Sequence, residues 1–370
     1  MRIGVPTEVK NRETRVALTP EGARRLVAAG HDVVVQEGAG AGSFLTDDAY
    51  RAAGARIGSR DDAWGAALVL KVKEPVPEEY ALLSDNILFT FLHLAANEPL
   101  ARALIAAGTT AVSYDTVQED DGSLPILAPM SAIAGALAVI EGGHHLLSPY
   151  GGRGVLLGGA PGVAGARVVV IGAGVAGTAA LHQAVVAGAD AVVLDLDVAR
   201  LEAAAQRYGD RVRAVASSPE SIEAELVDAD LVIGAVLVPG RPAPMVVPHR
   251  LVERMRPGSV LVDIAIDQGG CFEDSRPTTH DDPVYAVAGS LLYAVANMPG
   301  AVGATATAAL AHAASGYVDA LAARGRSALE DASALGRGLN VDAGTLRCRA
   351  VAQAHPHLPS LPPLREAAGR

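Results

Sequence analysis

Ten residues constrain this 370-residue chain more than any others: Val168-Val-Val-Ile171-Gly172-Ala-Gly174-Val-Ala-Gly177. An apolar, β-branched run ends in Gly-x-Gly-x-x-Gly and leads directly into a helix-forming stretch. Gly172 permits a tight turn, Gly174 lets a pyrophosphate approach the backbone, and Gly177 lets helix and strand pack closely. The phosphates then lie against N–H groups at a helix start, where the dipole favours anions. A second strand, Ala191–Leu194, ends in Asp195, eighteen residues after Gly177. A carboxylate there accepts hydrogen bonds from the adenosine ribose and repels a 2′-phosphate, favouring NAD over NADP. Arg200, five residues on, works against that preference. The competing reading is a bare turn in a glycine-rich chain. Strand, helix and acid together favour a dinucleotide site, which by itself leaves the reaction open.

Around this loop the chain alternates between strand and helix patterns. Residues 1 to about 125 contain apolar strands at Ile3–Val5, His31–Gln36, Val69–Val72, Ile87–Leu92 and Thr110–Val112, with helices at Gly22–Gly30 and Pro99–Gly108. The polar segment Gln118–Ser123 closes that half, and Ser131–Gly142 reads as a small-residue helix. The second alternation has strands at Arg167–Ile171, Ala191–Leu194, Leu231–Val236, Val260–Ile266 and Val284–Val287, with helices at Val175–Ala187 and Val198–Tyr208. Short apolar runs bounded by Gly, Pro and Asp are the signature of buried parallel strands, so the class is α/β. An Ala-rich helix follows Pro299. The last 30 residues, polar and then proline-rich, are expected to pack loosely.

Composition removes several function classes. Half of the residues are hydrophobic, enough to build large cores and to exclude intrinsic disorder. With 30 Lys+Arg against 41 Asp+Glu the net charge is −11, and without a basic block nucleic acid is excluded as a partner. No apolar run reaches the roughly 18 residues of a membrane span, and the N-terminus lacks a signal-peptide core. Cys271 and Cys348 are too few for a disulfide framework and lack metal-ligand spacing, so no metal is expected. A cytoplasmic enzyme is the expectation.

Polar residues where apolar strands end are the candidates for chemistry. Arg15 could clamp a carboxylate through two parallel hydrogen bonds, or be a solvated surface residue. Lys71 and Lys73 share a face and could hold a carbonyl or carboxylate, or mark an exposed edge. His93 could be a satisfied core residue or a general acid/base titrating near neutrality. Asp267 ends the run Val260–Ile266, on the edge where α/β sheets bind ligands. Asp263, four residues deeper, reads as structural. His144, His145, His280, His355 and His357 show no partners at ligand spacing and read as non-functional.

With these residues in view, the chain from Met1 to about Tyr317 resembles the alanine dehydrogenase/pyridine nucleotide transhydrogenase family. The strings that carry the resemblance are Arg2-Ile-Gly-Val-Pro-Thr-Glu-Val-Lys-Asn11, Arg15-Val-Ala-Leu-Thr-Pro20, Leu70-Lys-Val-Lys-Glu-Pro75, Phe89-Thr-Phe-Leu-His-Leu-Ala95 and Leu127-Ala-Pro-Met-Ser131. Further on come Gly234-Ala-Val-Leu-Val-Pro-Gly240, Val262-Asp-Ile-Ala-Ile-Asp-Gln-Gly-Gly-Cys-Phe-Glu273, Ser275-Arg-Pro-Thr-Thr279 and Val295-Ala-Asn-Met-Pro299.

The resemblance implies two doubly wound α/β domains. Residues 1–126 and 305–370 would form a discontinuous substrate domain, and 127–304 an inserted Rossmann NAD-binding domain. It implies reversible oxidative deamination of L-alanine to pyruvate and ammonium, with hydride passing to NAD, in a homohexamer. Arg15 and Lys73 would then hold the substrate, and His93 and Asp267 would manage protons as imine and carbinolamine form and collapse. The cofactor site would take in Ser131, Gly172, Gly174, Ala176, Gly177, Asp195, Arg200, Ser217, Val236, Leu237, Ile264, Ala265, Ile266, Asp267, Arg276, Val295, Ala296, Asn297 and Met298. The sequence departs from the family pattern at Ala132 and Ala136, where Glu and Arg are usual, and in the apolar loop 300–304. These departures keep open a dehydrogenase of another small amino acid, such as 2-aminobutyrate or serine, or an NAD-binding homologue without activity.

Overall fold

A computed structural model describes residues 1–236, 243–330 and 333–361. The described chain divides into two compact units, one of residues 1–130 with 300–361 and one of residues 131–299. In the first, six parallel strands, β1 (Arg2–Val5), β2 (Asp32–Gln36), β3 (Arg56–Gly58), β4 (Leu68–Leu70), β5 (Ile87–Thr90) and β6 (Thr110–Ser113), lie in the order β6-β5-β4-β1-β2-β3. The chain runs outward from β1 to β3, then returns to the other side of β1 and runs outward again. That reversal between β1 and β4 is a topological switch point, where the loops leaving the carboxyl ends of two strands part and open a crevice.

The second unit repeats the device. Its strands are β7 (Arg167–Ile171), β8 (Asp190–Asp195), β9 (Val212–Ala216), β10 (Leu231–Gly234), β11 (Val260–Asp263), β12 (Val284–Val287) and β13 (Ser290–Tyr293). They lie in the order β12-β13-β11-β10-β7-β8-β9, parallel except for β12, so the switch point falls between β7 and β10. Every residue of β4, β5, β6, β10 and β11 is buried, which explains why apolar residues run without alternation through β4, most of β5, the middle of β6, β10 and most of β11. The small-residue composition of the helix Leu127–His145 also has a cause. A Cβ on its Gly135 would lie 2.0 Å from the Ala176 carbonyl oxygen, so the backbone of the helix Val175–Val186 comes too close for a larger residue.

Two expectations need correction. The tail does not pack loosely over its described part. β14 (Leu339–Asp342) pairs antiparallel with β6, β15 (Thr345–Leu346) pairs back on β14, and Leu346, Val351 and Leu358 are buried in the core beside Leu88, Leu92 and Leu100. Isolated apolar residues spaced among prolines carry no period, so nothing local announces this burial. The strand expected over Val260–Ile266 stops at Asp263, because that side chain accepts the Ala265 N–H at 2.9 Å and the Cys271 N–H at 2.9 Å. An aspartate that captures nearby backbone donors competes with the ladder and turns the chain into the 3₁₀ segment Ile264–Gln268.

Candidate active site

In the first unit, four adjacent parallel strands deliver their following residues to one edge. Arg15 lies in the loop after β1, Lys73 after β4, His93 after β5 and Asp115 after β6. Arg15 is buried and so is not a solvated surface group. Glu13, also buried, receives its Nε at 2.7 Å and one terminal nitrogen at 2.6 Å, while the other lies 3.3 Å from Met130 Sδ. Such a fork-on-fork pair fixes the guanidinium plane.

The two lysines of the β4 loop divide their work. Lys71 Nζ donates to Glu79 at 3.0 Å and Glu8 at 3.2 Å, with all three groups buried. Burial pushes its ammonium down, but the two carboxylates outweigh that and hold it above the usual lysine range. Glu8 also accepts the Val72 N–H at 2.6 Å and the Lys73 N–H at 3.3 Å, and Thr90 donates to the Lys73 carbonyl at 3.0 Å. Lys71 is therefore a brace, and it holds the backbone from which Lys73 projects. Lys73 is buried too, with Nζ 4.0 Å from Glu74. Burial pushes the Glu74 carboxyl up, but Lys73, His93 and Lys10 pull it below its usual range. The exposed-edge alternative fails for both lysines.

His93 is partly exposed and sits at φ 49°, a left-handed backbone uncommon for a residue with a Cβ. Its ring stacks on Phe91 at 5.9 Å with planes 4° apart, and Nδ1 faces Asp115. Glu8, Glu13, Glu74 and Asp115 were not singled out from the sequence. For Asp115 the signal was available, since it is a carboxylate just past the end of a parallel strand, the rule that picked out Asp267.

The second unit's edge is built differently. Gly172 has φ 100°, and a Cβ there would lie 2.5 Å from the Ala235 carbonyl oxygen. A Cβ on Gly177 would lie 1.7 Å from the Gly172 carbonyl oxygen. At Gly174 the only neighbour within 4 Å is an Arg200 guanidinium nitrogen at 3.9 Å. The first two glycines are thus demanded by packing, while the third opens a cradle that a pyrophosphate fits. Ala176 lies in the first turn of the helix that follows, Val175–Val186, whose leading N–H groups have no intrahelical partner by geometry. Asp195, ending β8, accepts from the N–H of Ala173 in this loop and from the Asp197 N–H at 2.8 Å, with Arg200 at 3.8 Å. The residues present fit a dinucleotide.

The other cofactor candidates follow the same edge: Ser217 after β9, Val236 after β10, Ile264, Ala265, Ile266 and Asp267 after β11, and Val295, Ala296, Asn297 and Met298 after β13. Asp267 is exposed, one position before the end of the 3₁₀ segment, and the neighbouring Gln268 has its side-chain oxygen buried without a hydrogen-bond partner among the described residues. Asn297 is buried at φ 83°, and His280, read as partnerless, lies 3.2 Å from its carbonyl. His355 bonds the Leu94 carbonyl at 2.8 Å, a structural role. Ser131 lies in the first turns of the helix Leu127–His145. Arg276 is exposed and packs on the Tyr285 ring at 3.9 Å. Leu237 lies outside the described residues. No group of three or more His, Cys, Asp or Glu able to hold a metal occurs among the described residues, and none of their helices is long and apolar enough to cross a membrane.

Comparison with known proteins agrees with this plan. The family models "Alanine dehydrogenase/PNT, N-terminal domain" and "Alanine dehydrogenase/PNT, C-terminal domain" match residues 4–134 and 138–349. An alanine dehydrogenase of Mycolicibacterium smegmatis is 51% identical over 95% of this chain and 96% of its own length. A solved L-alanine dehydrogenase superposes with a TM-score of 0.91 at 50% identity, covering 96% of this chain and 99% of that one. A transhydrogenase from Sinorhizobium meliloti matches at 0.78 and 27% identity, over 95% and 100% of the two chains. With nearly its whole length matched in this way, the chain belongs to the alanine dehydrogenase/PNT family.

Proposed function

We propose that the chain catalyses the NAD-dependent, reversible oxidative deamination of L-alanine to pyruvate and ammonium. The observation that carries the reading is the convergence of buried Arg15 and Lys73 with His93 on one edge of the first sheet. Two fixed cations suit the carboxylate and carbonyl of a small oxo acid, against a chain whose net charge is −11. On this reading residues 1–126 and 305–370 form the substrate domain, and 127–304 the NAD domain.

When bound, NAD supplies the acceptor for the hydride that leaves the substrate Cα. Arg15, its plane set by Glu13, pairs with the substrate carboxylate and so selects which Cα hydrogen is presented. Lys73 polarises the imine and later the carbonyl oxygen. His93 takes a proton from the water that attacks the imine and returns one as ammonia leaves, and Asp267 steadies the cationic nitrogen through that exchange. In the NAD domain the cofactor contacts fall on Ser131, Gly172, Gly174, Ala176, Gly177, Asp195, Arg200, Ser217, Val236, Leu237, Ile264, Ala265, Ile266, Asp267, Arg276, Val295, Ala296, Asn297 and Met298. The carboxylate of Asp195 at the ribose favours NAD.

A panel of small L-amino acids, followed by NADH absorbance at alkaline pH, tests the assignment. Alanine should lead by about tenfold or more in kcat/KM, equivalent to roughly 1.4 kcal/mol. A lead by 2-aminobutyrate or serine would move the substrate and keep the reaction, and no turnover with any of them would sink the reading. Exposed Ile140, Tyr150, Leu156, Val163 and Val186 support a homo-oligomer, a hexamer by family resemblance, which sedimentation would count. The free thiols Cys271 and Cys348 fit the reducing cytoplasm.

A further inference from the structure

We propose that His355 is a positioning residue for His93: its hydrogen bond to the Leu94 carbonyl holds the left-handed turn that aims the His93 ring. The inference deepens the reading of His93 given above and rests on it.

His93 has φ 49° and ψ 36° and opens the 3₁₀ turn Leu94–Ala96. A residue with a Cβ stays in that region only where its surroundings fix the backbone on both sides. On the strand side the Phe91 N–H donates to the Val72 carbonyl at 3.1 Å, which carries the sheet's bonding past the end of β5. On the far side two donors meet at one peptide group. The Leu94 carbonyl accepts the Asn97 N–H at 3.1 Å and, from 261 positions away, His355 Nε2 at 2.8 Å. A carbonyl only accepts, so His355 carries a proton on Nε2 and donates it. That bond, structural in itself, lies one residue from the imidazole that moves protons.

The anchor is itself fixed. His355 is buried, its N–H donates to the Val351 carbonyl at 3.0 Å, and its carbonyl accepts the Leu358 N–H at 3.0 Å. Val351 and Leu358 are buried in one cluster with Leu92, Leu94 and Leu100. The Leu346 N–H bonds the Pro359 carbonyl at 2.8 Å and the Leu361 N–H returns to the Leu346 carbonyl at 3.0 Å, which closes the segment on itself. A second grip falls on Glu98, the first residue of the helix Glu98–Ala107. Its Oε2 faces His355 Nδ1 at 3.7 Å, and its Oε1 lies 3.0 Å from His357 Nε2 and accepts Arg102 Nε at 2.8 Å. The substrate cations are braced elsewhere, Arg15 by Glu13 and the backbone before Lys73 by Glu8. Releasing the Leu94 carbonyl therefore moves the proton-transfer group and leaves Arg15 and Lys73 in place, so the loss belongs to kcat and not to KM.

Three replacements test the bond. His355→Leu fills the buried site without a donor, His355→Gln carries an amide N–H to where Nε2 stood, and His355→Asn stops short at the place of Nδ1. Assayed well below the melting temperature, His355→Leu should lose about tenfold in kcat, because a displacement of about 1 Å at a reacting group costs up to about a hundredfold, with KM for alanine and NAD kept within about twofold. His355→Gln should recover most of that loss. The isotope-labelled ring of His93, assigned by NMR in the full chain from its absence in His93→Gln, should shift and broaden in His355→Leu as its stacking on Phe91 loosens, and return in His355→Gln. An unchanged kcat, a loss that His355→Gln does not restore, a loss carried by KM, or a His93 ring unmoved in His355→Leu would each overturn the proposal. Should His355→Leu fail to fold, the other two decide: kcat and ring position kept in His355→Gln and altered in His355→Asn support the role, and equal behaviour of the two overturns it. His93→Gln separates the two levels. Full activity in that variant overturns the proton-transfer reading of His93 and the positioning role with it, while the ring position in the His355 variants still reports whether the turn is held from the tail.

Discussion

The two sheets of this chain use the same topological device for opposite ends. At the switch point of the first, the working edge is made of buried charge: Arg15 on Glu13, Lys71 on Glu8 and Glu79, Lys73 beside Glu74. At the switch point of the second it is made of glycine and backbone, with the carboxylate of Asp195 tied to the loop. A ligand of a few atoms must be recognised by groups that reach it with full charge and fixed direction. A dinucleotide spreads its contacts, so bare N–H groups and close approach are enough, and a side chain in the cradle would be an obstruction. On the proposed function the contrast is one of ligand size, expressed through what stands at the end of each strand.

Breaking the first edge should have the largest effect. Lys73→Ala removes the cation proposed to hold the substrate carbonyl and leaves Glu74 without that neighbour, so kcat/KM should fall by about 10³ or more, roughly 4 kcal/mol. Steady-state kinetics should show this with NAD affinity retained, and a loss under tenfold would refute the division of labour between the two edges.

The second edge can be broken in two ways that its geometry separates. Gly177→Ala drives a Cβ into the Gly172 carbonyl oxygen and should destabilise the unit by about 3 kcal/mol, within the range for overpacking and strain. Gly174→Ala meets only ordinary contact with the Arg200 guanidinium, at 3.9 Å, so melting without cofactor should be nearly unchanged, while the NAD dissociation constant rises about tenfold or more. Calorimetry with and without NAD distinguishes the two. A melting point lowered equally by both variants would show that Gly174 serves packing as well.

Asp195→Ala should leave alanine kinetics at saturating NAD within a fewfold and reduce the preference for NAD over NADP by about 10-fold, near 1.4 kcal/mol, as repulsion of the 2′-phosphate is lost and Arg200 remains. The ratio of kcat/KM for the two cofactors is the measurement. The smallest effect is in stability against pH. Glu74 binds its proton less tightly in the folded chain than at its ordinary value of 4.5. Its stabilising contribution is therefore present above that value and lost as pH falls through the lower, folded one. Melting temperatures taken downward from pH 6 should decline less steeply in Glu74→Gln.

Much of the second edge was legible in the sequence because its signal is local. Gly172, Gly174, Gly177 and Asp195 follow in order along one strand–helix–strand unit, and each has a reason that its neighbours supply. The first edge was legible as a set of candidates, without its internal logic. Lys71 and Lys73 have identical chemistry and share a face. Only the folded chain separates them, because Glu8, 63 residues before Lys71, takes Lys71 as a brace. Arg15 was ambiguous because burial is decided by strands far from it in sequence. Asp263 offered a readable sign, an acid inside an apolar run, and its capture of backbone donors explains why the strand ends there. The tail offered none, since Leu346, Val351 and Leu358 acquire their meaning from residues near position 90.

That returning tail also sets an order of events during synthesis. β14 flanks β6, and Thr116, just past β6, hydrogen-bonds to a residue 222 positions later. The sheet that begins at the first residues is therefore completed last, after the second unit has left the ribosome whole. For the time it takes to translate those intervening residues, about 10 to 40 seconds at typical rates, β6 stands as an unpaired edge. Its four buried residues would then be open to the wrong neighbour, and slowing translation before residue 339 should lower the yield of folded protein more than slowing it after residue 361.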